Sequence, residues 1–144
     1  MSKINFSLND FIGAYGVCFD GFLVPTNPAG SPVPMTAVGW MSANGSGTLT
    51  VERTVKVPGL APLEQTATGD YTVKSNGTGT AVLTVSLSNH PTQIERYSFV
   101  IDDHNNEVQF IAIGITDANN QPFTPFGPHS AECDLVVRGV GRKQ

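Results

Sequence analysis

Two near-copies of one phrase, NGSGTLTV at 44–51 and NGTGTAVLTV at 76–85, decide the fold of this chain. In each, an Asn-Gly pair stands between runs rich in Thr, Val and Tyr, which are residue types that favour β-strands. Asn-Gly is typical of two-residue hairpin turns, because both residues tolerate the positive φ of a type I′ turn. The phrases therefore predict two β-hairpins with type I′ turns, in a chain built from antiparallel strands.

The same alternation of apolar and polar residues continues along the chain and predicts eight strands. They span 14–24, 35–42, 48–57, 64–74, 80–88, 93–101, 108–116 and 132–140. Prolines fall almost wholly between these segments, since a proline cannot donate a ladder hydrogen bond. A short leading segment, 1–12, is expected to hold one helical turn.

Eight sequential strands joined mostly by short turns favour an up-and-down meander, and a meander avoids exposed edges best by closing on itself. The 144 residues fit one domain and can bury a core without disulfide or metal staples. We therefore predict an all-β fold: a single domain over 1–144 that forms an antiparallel eight-stranded up-and-down β-barrel. A Greek-key sandwich is the alternative. The interior of an eight-stranded barrel is either plugged by side chains or holds one small ligand.

The composition narrows the possible partners. Charged residues make up 14% of the chain and the net charge is −4, with no stripe of Lys and Arg to neutralise phosphates, so no nucleic-acid partner is expected. No run approaches the ~18 apolar residues of a membrane helix, so no membrane partner is expected. The chain begins without the apolar region of a signal peptide, which favours a cytoplasmic location and free thiols at Cys18 and Cys133. The sequence leaves the oligomeric state open.

Two charged residues lie on faces that the alternation assigns to the core. Arg53 shares its face of the third strand with Val51 and Val55, and Glu95 shares its face of the sixth strand with Tyr97. A buried charge needs a partner or a ligand. We therefore expect Arg53 and Glu95 to meet in the barrel interior, as a functional pair or as a structural ion pair. The alternative is that both side chains reach water near strand ends.

A proline-stiffened loop at 122–128 carries Phe123 and Phe126. One interpretation is that the two rings cover the barrel mouth as a lid or form a protein interface. The other is that both rings fold back and plug the open end.

No metal and no cofactor is expected. The acidic cluster around Asp102 and His104 lies in a tight hairpin loop, where Asp and Asn favour the turn itself. The chain has no HExxH motif, no paired CxxC motifs, no EF-hand spacing and no glycine-rich loop that opens a helix. The common zinc, calcium and phosphate motifs are therefore excluded.

The start of the first strand, Gly13-Ala14-Tyr15, resembles the Gly-x-Trp start of the calycins, the lipocalin-like barrels, with Tyr in place of Trp. In that family a basic residue from the last strand packs over the aromatic ring. The resemblance implies this role for Arg138 or Arg142 over the ring of Tyr15.

A longer set of segments resembles a group of small, uncharacterised bacterial proteins, over most of the chain from about residue 13 to 144. The segments are FDGF at 19–22, AVG at 37–39, GTLT at 47–50, RTV at 53–55, GDYTV at 69–73, FVID at 99–102 and VQFI at 108–111. The expected fold relatives of that group are the calycins and the allene-oxide-cyclase and dirigent barrels. Those barrels bind hydrophobic small molecules or steer a cyclisation without cofactors, and the cyclases use a buried acid with a bound water.

Three functions are consistent with these residues. The first is a barrel that binds an apolar or amphipathic small molecule through Arg53, Glu95, Tyr97, Phe123 and Phe126. The second is a cofactor-independent isomerase or cyclase. In it Glu95 is the acid/base, with its pKa raised by burial, and Arg53 stabilises developing negative charge. The third is a non-catalytic interaction or structural protein with a plugged core, which associates through a strand edge or through the 122–128 loop.

Overall fold

The structure, a computed structural model, describes residues 5–27, 30–87, 90–102, 104–125 and 131–144. A 3-10 turn at Leu8–Asp10 precedes eight strands, each antiparallel to its sequence neighbours, and the first pairs with the last, so the sheet closes into an up-and-down barrel. The predicted fold class is confirmed and the Greek-key alternative is wrong. The strands are β1 Ile12–Pro25, β2 Val33–Asn44, β3 Thr48–Lys56, β4 Leu63–Val73, β5 Thr78–Ser86, β6 Gln93–Ile101, β7 Glu107–Asp117 and β8 Cys133–Lys143.

The strands that close the barrel are longer than the sequence pattern predicts. β1 pairs with β2 from Ile12 to Leu23 and with β8 from Tyr15 to Pro25. This double pairing extends the ladder beyond the run of apolar residues and carries β8 past Val140 to Lys143. Pro25 ends β1, at a position where the missing N–H is tolerated.

The two Asn-Gly hairpins form, but their turns are not type I′. Positive φ angles occur at Gly45 and Gly77, whereas neither Asn44 nor Asn76 has one. In the second hairpin the N–H of Gly77 donates to the carbonyl of Lys74, and that of Lys74 donates to the carbonyl of Thr78. This pattern is a three-residue loop in which only the glycine must adopt the left-handed conformation.

The asparagines act through their side chains instead. Oδ1 of Asn44 accepts hydrogen bonds from the N–H groups of Ser46 at 2.8 Å and Thr48 at 3.0 Å. Oδ1 of Asn76 accepts one from the N–H of Thr78 at 3.1 Å. These side-chain bonds satisfy loop donors that have no ladder partner.

The N-terminal turn closes one end of the barrel, called here the hairpin end because the β2–β3, β4–β5 and β6–β7 hairpins lie there. Phe11, which follows the turn, points into the barrel, and its ring centroid lies 5.3 Å from that of Tyr15, 4.9 Å from Tyr71 and 5.2 Å from Phe99. The hydroxyl of Tyr71 donates to the carbonyl of Phe11 at 2.7 Å and fixes the position of Phe11. The four rings of Phe11, Tyr15, Tyr71 and Phe99 are called here the aromatic plug. In the described part of the chain, no helix is long and apolar enough to cross a bilayer.

Side chains alternate between the core and solvent along the strands. In β3 the inward residues Leu49, Val51, Arg53 and Val55 are shielded, and the intervening threonines and charged residues face outward. The inward positions of the other strands add a continuous apolar core. A strictly alternating strand can fill a barrel on one side and meet water on the other.

Gly69, on the inward face of β4, marks a close approach between strands. A Cβ at this position would overlap the backbone carbonyl of Val82 on β5. Gly114 of β7 is the matched opposite, since a Cβ there would have no atom within 4 Å.

We expect Gly69→Ala to lower the free energy of unfolding by about 2 kcal/mol or more, because the β5 backbone must shift to admit the methyl group. Gly114→Ala should change it by less than about 0.5 kcal/mol. Urea denaturation monitored by circular dichroism measures both values. Equal losses in the two variants would show that β4 and β5 are not held this closely.

Candidate functional site

The interior of the barrel contains the predicted ion pair. Arg53 of β3 and Glu95 of β6 both point inward and are 4% and 1% exposed. Nη1 of Arg53 donates to Oε1 of Glu95 at 2.9 Å, and Nη2 donates to Oε2 at 2.6 Å. The expectation that the two residues meet inside the barrel is confirmed, in a bidentate geometry that fixes both side chains.

Two glutamines and a tyrosine complete a polar network around the pair. Nε of Arg53 donates to Oε1 of Gln65 at 2.7 Å. Nε2 of Gln93 donates to Oε2 of Glu95 at 2.7 Å, and the hydroxyl of Tyr97 donates to Oε1 at 2.6 Å. The carboxylate thus accepts four hydrogen bonds, which matches its four lone-pair sites.

Gln65 and Gln93 were not singled out from the sequence. Each lies within two positions of a strand start, where a polar residue is ordinarily taken to face water. The strand alternation held the available signal, because residues two apart share a face. Gln65 shares the inward face of Ala67 in β4, and Gln93 shares that of Glu95 in β6. An inward charge on a neighbouring strand should have drawn attention to them, because a buried ion pair needs such partners.

The predicted direction of the Glu95 pKa is wrong. Burial raises the pKa of this carboxyl, as expected, but the positive charge of Arg53 and hydrogen bonds from Arg53, Tyr97 and Gln93 outweigh it, and the net pKa is lowered. Burial, and after it the negative charge of Glu95, raise the pKa of Tyr97 well above its ordinary value. Glu95 is therefore an ionised acceptor and Tyr97 a neutral donor.

This charge state bears on the isomerase hypothesis. A general base needs a lone pair that is free to take a proton from the substrate, and a general acid needs a proton to give. Glu95 accepts four hydrogen bonds and is held ionised, so in this geometry it has neither. Because Glu95 neutralises the charge of Arg53, the guanidinium stabilises a developing negative charge on a substrate less than a free arginine would.

A small apolar cavity lies between the polar network and the aromatic plug. Its volume is about 50 Å³, and Arg53 is the one charged residue among its described lining. The guanidinium Cζ lies 5.2 Å from the ring centroid of Phe19, and Tyr97 packs edge-on against Phe110 with centroids 5.6 Å apart. The lining comprises Phe11, Val17, Phe19, Met41, Leu49, Val51, Arg53, Ala81, Leu83, Tyr97, Phe99, Val108 and Phe110.

The described part of the 122–128 loop, residues 122–125, lies at the opposite end of the barrel from the aromatic plug. Phe123 is half-buried and packs against the core, and its carbonyl accepts a hydrogen bond from the N–H of Cys133 at 2.8 Å. For this ring the structure agrees with the fold-back interpretation. Phe123 does not line the cavity beside Arg53. Phe126 lies outside the described residues.

The calycin-like packing of an arginine over Tyr15 is not found. Tyr15 is 1% exposed and points into the barrel, where its hydroxyl donates to the carbonyl of Asn105 at 3.4 Å. Arg138 and Arg142 are exposed on the outer face of β8, and Nε of Arg142 lies 3.4 Å from Oε1 of Glu107. The alternation of β8 sends both arginines away from the interior, so this expectation is wrong.

The cysteines are free, as predicted. Cys133 pairs in register with Pro25, whereas Cys18 pairs with Val140, so the two lie seven residues apart along β1, a separation of roughly 23 Å. Cys18 faces solvent and Cys133 faces the core. A disulfide between them within one chain is excluded by this distance.

The side chain of Asp102, which was considered above as part of an acidic cluster, stabilises the turn that follows β6. Oδ1 of Asp102 accepts hydrogen bonds from the N–H groups of His104 at 3.2 Å and Asn106 at 3.0 Å. Among the residues that the structure describes, no group of three or more His, Cys, Asp or Glu side chains could hold a metal ion.

Comparison with known proteins supports the fold. No protein-family model matches the sequence, and no curated protein matches it. Among solved structures, EF1p2_mFAP2b bound to DFHBI is similar, with 12% sequence identity, a TM-score of 0.56, and coverage of 96% of this chain and 97% of that one. At this identity the likeness shows a shared barrel fold, and membership of the calycins or of the allene-oxide-cyclase barrels stays a prediction.

We expect Glu95→Gln to lower the free energy of unfolding by about 3–5 kcal/mol, because it leaves the charge of Arg53 buried without a counter-charge. Adding Arg53→Met should recover part of that loss, since the double variant has no buried charge. Chemical denaturation of the wild type and the single and double variants gives the coupling. Losses that simply add would show that the two side chains do not depend on each other.

The pair should also make stability depend on pH. The folded pKa of Glu95 is lowered, so its contribution is fully present above the ordinary glutamate pKa of about 4.3 and is lost as the pH falls through the folded value. The stability difference between wild type and Glu95→Gln should therefore be constant near neutral pH and shrink below about pH 4. Denaturation curves for both proteins across this range test it, and a difference that grows on acidification would contradict the assigned pKa direction.

Proposed function

We propose that the barrel binds a compact, mainly apolar small molecule in the interior cavity, with a polar group of the ligand directed at Arg53. The observation that carries this proposal is the cavity itself, an apolar space bounded by one anchored guanidinium. Ligand sites are typically apolar clefts in which a few fixed polar groups set orientation. The cavity has this composition on a small scale.

The size of the cavity restricts the ligand. Its volume of about 50 Å³ exceeds that of a water site but lies far below the ~300–1,000 Å³ of drug-sized pockets. An apolar cavity of about 150 Å³ holds benzene, so a ligand with one aromatic ring must displace lining side chains here. Met41 is suited to this, because methionine has several rotatable bonds and adapts to irregular spaces.

The charge balance restricts the polar group of the ligand. Arg53 donates three hydrogen bonds to Gln65 and Glu95, which use three of its five N–H groups. Because Glu95 already neutralises the guanidinium, a ligand carboxylate would add an uncompensated negative charge to a buried site. A neutral acceptor, such as a hydroxyl or carbonyl oxygen, fits this environment better.

The comparison with EF1p2_mFAP2b supports small-molecule binding in general terms, since that protein of similar fold was solved with DFHBI bound. The isomerase hypothesis has less support, because Glu95 is ionised and accepts four hydrogen bonds.

Binding of phenol, toluene and benzoate to the wild-type protein tests the proposal by amide chemical-shift titration. We expect phenol to bind, with shifts around Ala81 and Tyr97, toluene to bind more weakly because it lacks the oxygen, and benzoate to bind most weakly. Ala81→Leu fills the cavity from β5 and should weaken phenol binding at least tenfold, by about 1.4 kcal/mol.

Thr80→Leu is the matched control, since Thr80 is the outward neighbour of Ala81 on the same strand. It should leave phenol binding unchanged. If the wild-type protein binds none of the three probes, or if Ala81→Leu binds phenol as well as the wild type does, the interior site is rejected.

A further inference from the structure

The outer surface of the barrel is divided into two unlike halves. The outward side chains of β3, β4 and β5 are almost all Thr, Ser or charged, with Val82 as the apolar residue among them. The outward side chains of β7, β8, β1 and β2 include six exposed large apolar residues, which together are called the apolar outer face. They are Phe22, Val38, Trp40, Ile111, Ile113 and Val136.

Such a face is unusual for a surface that meets only water. Phe22 is 46% exposed and Val136 is 53% exposed, and the two are directly paired across β1 and β8. Single exposed apolar residues need no explanation, but clustered ones with a polar rim typically mark an interaction site. The polar outward side chains of β3, β4 and β5, called here the threonine-rich half, show that the same barrel also carries an outer face without such a cluster.

A groove of about 860 Å³ crosses the apolar outer face. Its walls are two transverse rows of outward side chains that follow from the strand register. In order around the barrel, one row holds Val100, Gln109, Val140, Cys18 and Val38, and the other holds Ser98, Ile111, Arg138, Asp20 and Thr36. Its floor is backbone, at Phe99, Phe110, Gly139, Phe19 and Ala37, whose register forms the row between them. The side chains on such a floor point into the barrel.

Opposite charges lie side by side in the groove. Asp20 of β1 and Arg138 of β8 are directly paired in the register and both face outward. Within the described part of the chain, neither side chain has a hydrogen-bond or ion-pair partner. Ile111 flanks Arg138 on one side, and Thr36 flanks Asp20 on the other.

We propose that the apolar outer face is the interface of a two-fold homodimer. An axis that passes between Asp20 and Arg138 places Arg138 of each copy opposite Asp20 of the other, because a two-fold operator exchanges the two positions. The same operation places each transverse row opposite the same row of the second copy, in the face-to-face packing of sheets about 10 Å apart. Val136 then lies opposite Phe22 of the second copy, because these two residues are also directly paired across β8 and β1. The pattern specifies a second copy as the partner, because the Asp20–Arg138 pair of one copy is complementary in charge to the same pair of another copy.

The evidence for the dimer does not rest on the proposed ligand site in the interior. The threonine-rich half would remain in solvent, and Val82 on it would stay outside the contact. Cys18, in one wall of the groove, would be covered by the second copy, whereas Cys133 is buried within each barrel.

Sedimentation velocity over a range of concentrations tests the assembly. We expect a species of twice the 15.3 kDa chain mass. Ile111→Glu should raise the dimer dissociation constant at least tenfold, because it removes an apolar contact and gives Arg138 a competing carboxylate within the same chain. Val82→Glu, the same kind of change on the threonine-rich half, should leave the constant unchanged. A monomer up to about 1 mM, a trimer, or a dimer that Ile111→Glu leaves intact overturns the proposal.

Charge reversal tests the two-fold geometry itself. Arg138→Glu should weaken the dimer, because it places two carboxylates against each other, and the added change Asp20→Arg should restore it. Circular dichroism checks that each variant is folded. A folded double variant that remains monomeric would refute the pairing of Asp20 with Arg138 across the axis.

The reactivity of Cys18 gives a readout that needs no substitution. Its alkylation rate should fall as the protein concentration rises, in step with the dimer fraction. Burial raises the pKa of the Cys133 thiol, which makes that residue the unreactive reference in the same sample. A Cys18 rate that does not change while the dimer forms would place the contact elsewhere on the barrel.

Discussion

The buried charge pair of Arg53 and Glu95 is the constraint on which the interior depends. Two ions removed from water are tolerated only when geometry and additional hydrogen bonds compensate the lost hydration. Closure of the barrel brings β3 and β6 into reach of each other across the core, and Gln65, Gln93 and Tyr97 supply the remaining bonds. That compensation has a chemical consequence. The hydrogen bonds use all the acceptor sites of the Glu95 carboxylate and hold the Arg53 guanidinium rigid. The guanidinium is then the one polar boundary of an otherwise apolar cavity.

The alternation of the strands made much of this predictable. A period of two places Arg53 and Glu95 inward without any knowledge of the structure, and the meander with its short turns leads to the closed barrel. The exact partners depend on register, which brings Gln65 opposite Arg53 and which no local pattern encodes. The type I′ turns were wrong because Asn-Gly serves a three-residue loop as well, in which the amide side chain takes up loop donors and only glycine needs a positive φ.

The direction of the Glu95 pKa was also beyond the sequence, for a related reason. Burial alone raises a carboxyl pKa, and the sequence reveals burial. Whether burial decides the net direction of the pKa depends on how many donors reach the two carboxylate oxygens. These donors lie 2.6–2.9 Å away, on other strands or at alternate positions of β6, and the sequence does not give such distances. A single inward glutamate is a candidate acid, but the same glutamate with four donors is an anchor. The difference weakens the isomerase alternative and leaves small-molecule binding, the first of the three functions, as the preferred one.

The groove and the cavity share one row of the barrel, which relates the two proposals physically. The backbone of Phe19, Phe99 and Phe110 forms part of the groove floor, and the side chains of the same residues line the cavity. A second copy packed over the groove would restrict this backbone, and a ligand in the cavity would restrict the rings attached to it. Where two binding events order the same residues, each changes the affinity of the other by the same factor. If both sites are occupied in solution, assembly and ligand binding are therefore coupled through this row, and a substitution on one side of the sheet has an effect on the other.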